Sequence, residues 1–363
     1  MTSKQEPKIF IPEKAVYTPQ QVGFYGIESI KKMRADLAAN RAILFPIAGM
    51  SDYVMPVLPG QTVALIAQTS NYKSGLFDFL ENQLATQLVN QGRVDECIVH
   101  ISVEETIEEI SYRVLGHLTG EDAGELSIGK VRDWDRLISA GTNIGGIPIF
   151  RIGDSLMNPE QISNLYLSNI YRALQALQGG AVLGHPIQIA AIFVDYLQAL
   201  PLDPEVKASG DIEGRRRLQV RNDTYRLRDM AVYFNCPVYV AVQAKQILFC
   251  GPSAKIQLPG MYDGEESSAI AQRFDRIITQ WMPKTTLTLG DLVEFGRLKF
   301  TVTENLLLVK VAKQRGSRRA GAVYPCLIDY TTGDVRVDES IFVGPPADQI
   351  KSTWADPSPS VRW

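Results

Sequence analysis

The sequence contains few of the residues that commonly bind metals or form covalent cross-links. Its 363 residues include four cysteines and three histidines. The cysteines show no Cys-x-x-Cys or Cys/His spacing, which argues against a zinc site and a disulfide framework. The histidines are too scattered to indicate a histidine-centred metal site or catalytic triad. The residues concerned are Cys97, Cys236, Cys250, Cys326, His100, His117 and His185.

The chain also lacks a strong net charge and long apolar runs. It has 37 Lys and Arg against 40 Asp and Glu, a formal net charge of -3, so bulk electrostatics does not drive it onto nucleic acid or anionic lipid. No apolar N-terminal segment indicates a signal peptide, and no stretch approaches the roughly 18 uncharged apolar residues of a membrane span. We therefore expect a cytoplasmic protein with no membrane partner.

What the chain does have is the composition of a globular protein, divided into three regions. Hydrophobic residues make up 45% and charged residues 21%, which excludes a mostly disordered or coiled-coil chain. Residues 1–26 contain several prolines without a sustained period and are expected to form an extended arm. Apolar residues recur at helical spacing from about Ser29 to Leu44, which predicts an amphipathic helix that packs on its own core or on a neighbour. Residues 45–340 are expected to form the core and residues 341–363 a tail.

Within the core, short apolar runs alternate with helical periodicity. Strands are predicted at 63–67, 97–101, 147–152, 189–194 and 238–242, and helices near 76–92, 106–118, 159–177 and 225–233. Repeated βαβ units of this kind imply a mostly parallel sheet with helices on both faces, an α/β fold. Beyond about residue 280 the pattern becomes β-rich, and the runs 306–311 and 323–328 predict a hairpin.

A candidate phosphate-binding loop follows the first strand. In such a loop, backbone N–H groups and a helix N-terminus hold the phosphates, a lysine neutralises them and a hydroxyl reaches Mg²⁺. Lys73 and Ser74 fit the last two roles. The strict pattern also places glycines at 67 and 72, where this chain has Ala67 and Tyr72, and the second glycine matters more because it lets the backbone curl tightly. Taken alone, Lys73-Ser74 also fits an ordinary helix start. The loop residues are Gln68, Thr69, Ser70, Asn71, Tyr72, Lys73 and Ser74.

A carboxylate ends another predicted strand. Asp195 follows the apolar run 189–194, at the carboxyl end of the sheet where open α/β proteins bind ligands. It is therefore a candidate Walker B acid that contacts Mg²⁺ directly or through water. A helix-cap role is the alternative, and the shared position of Lys73 and Asp195 at strand ends favours the nucleotide site.

In their order along the chain and in their amino-acid sequences, these segments resemble the RecA-like motor domain of DnaB-type replicative helicases. Asp-Tyr-Leu-Gln at 195–198 is similar to that family's Walker B motif. Alanine is common in the family at the position of Ala67, whereas Tyr72 departs from the family's pattern. Residues 267–275 and 310–316 are similar to two further family segments. The resemblance implies a RecA-like P-loop NTPase core over roughly residues 45–340, with a C-terminal β-hairpin extension and an N-terminal arm.

The resemblance also implies roles for individual residues. Glu104 would activate the attacking water, with its neighbour Glu105 as the alternative, and Gln243 would sense the γ-phosphate. Lys313 and Arg315 would reach the ATP of the adjacent subunit, where an arginine can contribute about 10³ to 10⁵ in rate. A solvated basic hairpin is the other interpretation of these two residues.

Contact with single-stranded DNA is expected from a basic segment after the Walker B strand. In a ring of subunits, these side chains would surround a pore and bind the phosphate backbone. The same run also fits a solvated helix face, because acidic residues interleave with it. Glu265 moreover stands where the family has an arginine that binds the DNA backbone. The proposed DNA-binding residues are Arg215, Arg216, Arg217 and Arg221.

The sequence therefore predicts an ATP-hydrolysing, Mg²⁺-dependent oligomeric motor on single-stranded DNA, expected as a homo-oligomer and most simply a hexameric ring. The family's helical N-terminal domain, which contacts primase, does not fit in the residues before the core. This favours a specialised relative encoded by a phage, plasmid or other mobile element and working with a loader or another replication or recombination protein. Two alternatives stay open: a non-translocating oligomeric ATPase that acts as a switch or scaffold, and a degenerate module in which Tyr72 blocks the phosphate pocket.

Overall fold

The computed structural model describes residues 18–38 and most of residues 45–340, with gaps at 48, 51–53, 55, 154–155, 208–211, 246–257, 266–267, 296–297, 316–319 and 339. The chain divides into two compact units, residues 1–43 and residues 44–363. The predicted tail at 341–363 and the first 17 residues of the predicted arm lie outside the described residues.

The first unit contains one described helix, α1, over Pro19–Ala38. It begins ten residues before the predicted start, so the prediction of an extended arm up to residue 26 was wrong. Thr18 and Gln21 cap each other: Thr18 N donates to Gln21 Oε1 at 2.8 Å and Gln21 N donates to Thr18 Oγ1 at 3.2 Å. With Pro19 at the first helical position, this is a strong helix start that does not depend on apolar periodicity.

The second unit is built on a nine-stranded sheet with the order β11-β10-β9-β6-β1-β5-β4-β2-β3. The six strands from β6 to β3 are parallel, and β9, β10 and β11 continue the sheet in antiparallel fashion. The mostly parallel sheet and the C-terminal hairpin are thus confirmed. The strands are β1 Thr62–Ala67, β2 Glu96–Ser102, β3 Ile149–Ile152, β4 Gln188–Asp195, β5 Val238–Gln243, β6 Arg276–Trp281, β9 Leu306–Gln314, β10 Val323–Ile328 and β11 Val335–Val337; β7 Leu292–Phe295 and β8 Leu298–Thr301 form a separate pair.

Helices connect the parallel strands. They are α2 Lys73–Asn90, α3 Ile107–Thr119, α4 Ala123–Ser127, α5 Trp134–Asn143, α6 Pro159–Ser163, α7 Leu167–Gln178, α8 Pro204–Lys207, α9 Ile212–Tyr233 and α10 Ala269–Arg273. Within the described ranges, none combines the length and apolar character needed to cross a membrane.

Two helix predictions were wrong in extent. The helix expected at 159–177 is divided into two helices. The side-chain amide of Asn164 donates to Glu160 O at 3.0 Å, and that of Asn169 donates to Asn164 O at 2.9 Å. These bonds compete with the backbone hydrogen bonds of a continuous helix. The helix expected from residue 225 begins at Ile212 instead. Its polar first half is tied to the preceding segment by side-chain bonds, such as Gln219 Oε1 accepting from Asp203 N at 3.0 Å, and shows no apolar stripe.

Helices cover both faces of the sheet, as predicted. Side chains alternate between the faces along a strand. In β4, Ile192 and Val194 join an apolar cluster with residues of α7 and α9. Phe193 points to the other face, where its ring lies 5.0 Å from Phe77 of α2 and stacks on Tyr239 of β5 at 4.6 Å. This packing fixes α2 against the sheet directly behind the candidate phosphate loop.

The register of the parallel strands places several polar residues at one edge of the sheet. Ala67 at the end of β1 pairs with Gln243 at the end of β5. Ser102 at the end of β2 pairs with Asp195 at the end of β4. The loops that follow these four strands therefore meet at the carboxyl edge, where open α/β sheets place their ligand sites.

Candidate nucleotide-binding site

The loop between β1 and α2 makes a tight turn without the expected glycine. Tyr72, which precedes α2, has φ 60° and ψ 31°, and Ser70 has φ 62°. This left-handed region costs a non-glycine residue roughly 1–2 kcal/mol. The backbone thus adopts at Tyr72 the conformation that glycine would favour, and contacts around the loop must offset the strain.

Asn71 supplies part of this support. Its Nδ2 donates to Thr69 O at 3.0 Å within the loop, and its Oδ1 accepts from Met282 N at 2.8 Å. Its carbonyl oxygen accepts from Gln280 Nε2 at 2.6 Å. The buried Asn71 therefore braces the loop on the end of β6. Asn71 was predicted among the phosphate-binding residues, whereas its side chain is directed into the protein.

The Tyr72 ring packs beside the first turn of α2. It lies against Gly75, and its centroid is 6.0 Å from that of Tyr330 in an edge-on arrangement. Tyr330 is itself held, because its hydroxyl donates to Glu304 O at 2.9 Å and accepts from Lys284 Nζ at 3.1 Å. Burial, followed by the charge of Asp78, raises the pKa of the Tyr72 hydroxyl, so it stays neutral at physiological pH.

Replacing Gly75 by alanine should destabilise the protein by about 1–3 kcal/mol, because the new methyl group would overpack the Tyr72 ring. An added Cβ would lie 2.4 Å from Cε2 of that ring. The free energy of unfolding in urea measures the effect, and Gly75→Ala combined with Tyr72→Gly should regain most of the loss. Gly145→Ala is the control, since its Cβ would meet no atom within 4 Å. Unchanged stability in Gly75→Ala would contradict this packing.

Lys73 and Asp195 face each other across the loop. Lys73 Nζ lies 3.7 Å from Asp195 Oδ1 and 3.8 Å from the centroid of the Tyr196 ring. Asp195 is 3% exposed, and this burial raises the pKa of its carboxyl while Lys73 opposes the shift. Among the described residues, Oδ1 of Asp195 has no hydrogen-bond partner. A buried carboxylate oxygen that accepts no hydrogen bond is a ligand that suits Mg²⁺, and the predicted Ser74 hydroxyl would be a second one.

The two neighbouring glutamates after β2 have different surroundings. Glu105 is bound by both terminal nitrogens of Arg113, at 2.6 and 2.7 Å. Glu104 is exposed toward the cleft. Partial burial raises the pKa of the Glu104 carboxyl, Lys73 lowers it, and Asp195 and then Glu105 add to the rise. Of the two, Glu104 is therefore the carboxylate available to a ligand.

Gln243 contacts the phosphate loop directly. Its Nε2 donates to Thr69 Oγ1 at 2.9 Å. Its backbone N–H donates to Gln198 Oε1 at 3.2 Å, which fixes the end of β5 to the turn after Asp195. Gln68 Nε2 donates to Lys245 O at 3.4 Å. The loops after β1, β4 and β5 are thus linked through side-chain amides.

These residues enclose a cleft of about 1110 Å³ at the carboxyl edge of the sheet. Asn71 and Asp195, also predicted to bind nucleotide, lie behind its surface. Glu265, expected at a DNA-binding position, lines this cleft as well. Five further lining residues were not predicted: Gly75, Glu109, Arg113, Tyr196 and Ala244. The predicted residues that line it are Gln68, Thr69, Ser70, Tyr72, Lys73, Ser74, Glu104 and Gln243.

Lys313 and Arg315 lie at the opposite edge of the sheet. Gln314 of β9 pairs with Arg276 of β6, which pairs with Val63 at the start of β1. The phosphate loop begins after Ala67, four residues and about 13 Å further along β1. Within one chain, this arrangement separates Arg315 from Lys73 by the length of the strand.

Both basic residues contact the segment before β6, Lys313 at α10 and Arg315 at the loop that follows this helix. Lys313 Nζ donates to Ala271 O at 2.7 Å. Arg315 Nη1 pairs with Asp275 Oδ1 at 2.9 Å, although its side chain is 57% exposed. Asp275 is also bound by Arg228 of α9. Arg315 thus has a defined anchor and a large accessible surface, in contrast to a freely solvated side chain.

The predicted DNA-binding arginines are located in the first half of α9. Arg217 and Arg221 are exposed and Arg215 is half-buried. Arg216 Nη1 donates to Leu200 O at 2.8 Å, so this side chain holds the helix to the segment after β4. Residues 208–211, part of the predicted channel loop, and Ser267 of the second one lie outside the described residues.

A buried charged cluster behind α2 was not predicted. His100 Nδ1 lies 2.5 Å from Glu81 Oε2, and both side chains are at most 1% exposed. Arg151 Nη2 lies 3.3 Å from Glu81 Oε1. Polar atoms of Asp78, Glu81 and His100 come within 4.8 Å of one another, but guanidinium groups already neutralise both carboxylates. The cluster is therefore an internal ion-pair network. Its signal in the sequence, a histidine inside an apolar strand, does not reveal its partners.

His100 should make stability depend on pH. Burial alone would lower the pKa of His100, but the Glu81 carboxylate outweighs this and raises it above 6.5. The stabilisation is therefore complete below pH 6.5 and is lost as the pH rises through the raised value. We expect His100→Gln to lose about 3 kcal/mol of unfolding free energy at pH 6 and less at pH 10, measured in urea. For the exposed His185→Gln, the loss should stay within about 0.5 kcal/mol at both pH values; a pH-independent loss in His100→Gln would refute the charged pair.

Comparisons with known proteins support the fold. No protein-family model and no curated protein matches the chain. Among solved structures, one of an ATPase domain aligns with a TM-score of 0.62 and 16% identity over 86% of this chain and 98% of that domain. A DnaB-like replicative helicase, solved in a study of its interactions with primase, aligns with a TM-score of 0.59 and 16% identity over 78% of this chain and 58% of its own. The chain thus has the RecA-like fold of DnaB-type ATPase domains, and its aligned part spans little more than half of that helicase.

Proposed function

We propose that this protein is an ATPase of the DnaB-helicase type that hydrolyses ATP at subunit interfaces and acts on single-stranded DNA. The observation that carries the proposal is the convergence of Lys73, Asp195, Glu104 and Gln243 on one cleft. Each follows or ends a different parallel strand, and the register of β1, β5, β4 and β2 brings the four together. Such a set suits phosphoryl transfer, which depends mainly on positioning and charge stabilisation.

In this proposal, the loop and α2 hold the triphosphate. The N–H groups at the start of α2 and the Lys73 ammonium would bind the anionic phosphate oxygens. Asp195 and Ser74 would hold Mg²⁺, which neutralises charge on the phosphate oxygens when bound. Oδ1 of Asp195 accepts no hydrogen bond from the described residues, which leaves it available as a ligand. Thr69, bonded to Gln243, keeps the loop in contact with the β5 end.

Glu104 and Gln243 act at the end of the triphosphate that is cleaved. Glu104 orients and deprotonates the attacking water, and its raised pKa makes its carboxylate a stronger base. Gln243 reports the presence of the γ-phosphate to β5 and to Gln198, to which it is bonded.

Assembly completes the site. Because Arg315 and Lys73 lie at opposite ends of the strands, Lys313 and Arg315 can act on ATP only when another subunit stacks head-to-tail against this one. We propose a homo-oligomeric ring, most simply a hexamer, whose pore exposes Arg215, Arg217 and Arg221 to the DNA backbone. Arg216 would hold α9, the helix that carries these arginines, to the segment after β4. A loader or another replication protein is the expected partner.

The test is steady-state ATP hydrolysis at several protein concentrations, with and without single-stranded DNA. Turnover that rises cooperatively with concentration and is stimulated by DNA supports the proposal. Absence of turnover with Mg²⁺ present would contradict it and favour a degenerate binding module.

A switch or scaffold ATPase that does not translocate is the second candidate. Two observations favour it: Glu265 lines the nucleotide cleft and brings no positive charge to DNA, and Arg216 is engaged within the chain. Concentration-dependent turnover that ignores single-stranded DNA would select this candidate over the motor.

A further inference from the structure

Arg113 of α3 binds two carboxylates that belong to different parts of the site. Its Nη1 and Nη2 grip Glu105 at 2.6 and 2.7 Å, and its Nε donates to Asp78 Oδ2 at 2.8 Å. Asp78 lies on α2, the helix that begins at the phosphate loop, and its side chain is 6% exposed. Arg113 is 25% exposed and itself lines the nucleotide cleft. All three nitrogens of its guanidinium group are thus directed at these two acids.

Glu104 and Glu105 are adjacent acidic residues, and Arg113 can reduce the repulsion between their carboxylates. Both carboxylates lie at the cleft, and two neighbouring carboxylates compete for the same water and repel each other. A bidentate guanidinium clamp neutralises Glu105 and holds it in a single orientation. Of these two, Glu104 is then left as the carboxylate that faces the cleft together with Lys73.

We propose that Arg113 is a positioning residue that withdraws Glu105 from the reaction, so that Glu104 rather than Glu105 orients the attacking water. Through Asp78, Arg113 also ties the turn that carries Glu104 to the helix that carries Lys73 and Ser74. The proposal rests on the ATPase function argued above and deepens it, since it assigns a role to an arginine of the same cleft.

A purely structural role is the competing explanation. Arg113 joins α2 to α3, and its loss would leave the buried Asp78 without its partner whatever happens in the cleft. Stability alone therefore does not separate the two roles. A substitution of Glu105 separates them, because only the positioning role predicts that removal of the Glu105 charge makes activity less dependent on Arg113.

The experiment is a double-mutant cycle with Arg113→Met, Glu105→Gln and the two combined, read out as kcat and KM for ATP. We expect Arg113→Met to lower kcat at least tenfold while KM changes less than threefold, as for a defect in water positioning. The combined variant should recover at least half of the lost activity on a logarithmic scale, although Asp78 is still unpaired. Melting temperatures should be equal in Arg113→Met and the combined variant.

The matched control is Arg93→Met, which removes another arginine that binds a glutamate through two nitrogens, Glu96 at 2.8 and 2.5 Å, outside the cleft. Its kcat should equal that of the wild type. A combined variant no more active than Arg113→Met would overturn the proposal, because Arg113 would then act only as a structural link or touch the nucleotide itself. An unchanged kcat in Arg113→Met would also overturn it. If the wild type itself shows no turnover, the ATPase function fails first, and this role fails with it.

Discussion

Replacement of Lys73 by alanine should reduce ATP turnover by about 10³-fold or more, because the variant loses the ammonium group that lies against the Asp195 carboxylate and that we propose binds the phosphates. Lys73 Nζ lies 3.7 Å from Asp195 and over the Tyr196 ring. These two contacts hold the side chain at the loop before any nucleotide arrives, so little ordering is needed on binding. Initial rates of phosphate release at saturating ATP and Mg²⁺ measure the effect.

Lys130→Ala is the matched control for this substitution. Lys130 is an exposed lysine in the turn between α4 and α5, outside the cleft, and its removal should leave turnover within twofold of the wild type. If Lys73→Ala retains more than a tenth of wild-type turnover, the loop would not be the phosphate site. The departure at Tyr72 would then mark a pocket that has lost its original role.

Replacement of Arg315 by alanine should also reduce turnover by about 10³-fold, the lower end of what an arginine supplied across an interface contributes. The reason is positional: Arg315 lies beyond the end of β9, paired with Asp275, at the opposite edge of the sheet from the phosphate loop. Asp275 keeps Arg228 and the Thr62 N–H at 3.0 Å as partners, so the fold should survive the substitution. Arg172→Ala, on the exposed side of α7, is the control and should stay fully active.

Mixing the two inactive variants tests the interface directly. In a head-to-tail ring, a subunit with Arg315→Ala keeps its own Lys73 and can receive Arg315 from a neighbour with Lys73→Ala. Random mixing at equal amounts makes about a quarter of the interfaces complete, so turnover should return to about that fraction. If the mixture stays as inactive as its components, although exchange of subunits is observed by fluorescence energy transfer, Arg315 does not act across an interface.

Much of the fold followed from local patterns. The apolar runs at 63–67, 97–101, 189–194 and 238–242 correspond to β1, β2, β4 and β5 with shifts of one residue at their ends, because a strand buried on both faces must be apolar throughout. The predicted helix boundaries were wrong where polar side chains form hydrogen bonds with the backbone. Thr18 and Gln21 start α1 early, and Asn164 and Asn169 interrupt the helix expected at 159–177.

The candidate site, like the fold, was predictable in part from local patterns and in part only from the folded chain. Lys73, Ser74 and Asp195 were predictable because their positions at strand ends are set by the chain order and the parallel sheet. The sequence left Glu104 and Glu105 as alternatives, since adjacent residues share every local pattern. Only the folded chain separates them, because Arg113 reaches Glu105 from eight residues away and Asp78 from 35.

The sequence by itself determined the alternation of strands and helices and the order of the polar residues that end them, since both depend on neighbours along the chain. Tertiary structure alone decided that Tyr72 occupies a glycine conformation, because its support comes from Gln280, Met282 and Tyr330, more than 200 residues away. It also decided that Arg315 lies a strand's length from Lys73. These facts depend on which distant segments pack together, and burial of apolar surface across the whole sheet, rather than any local pattern, selects that packing.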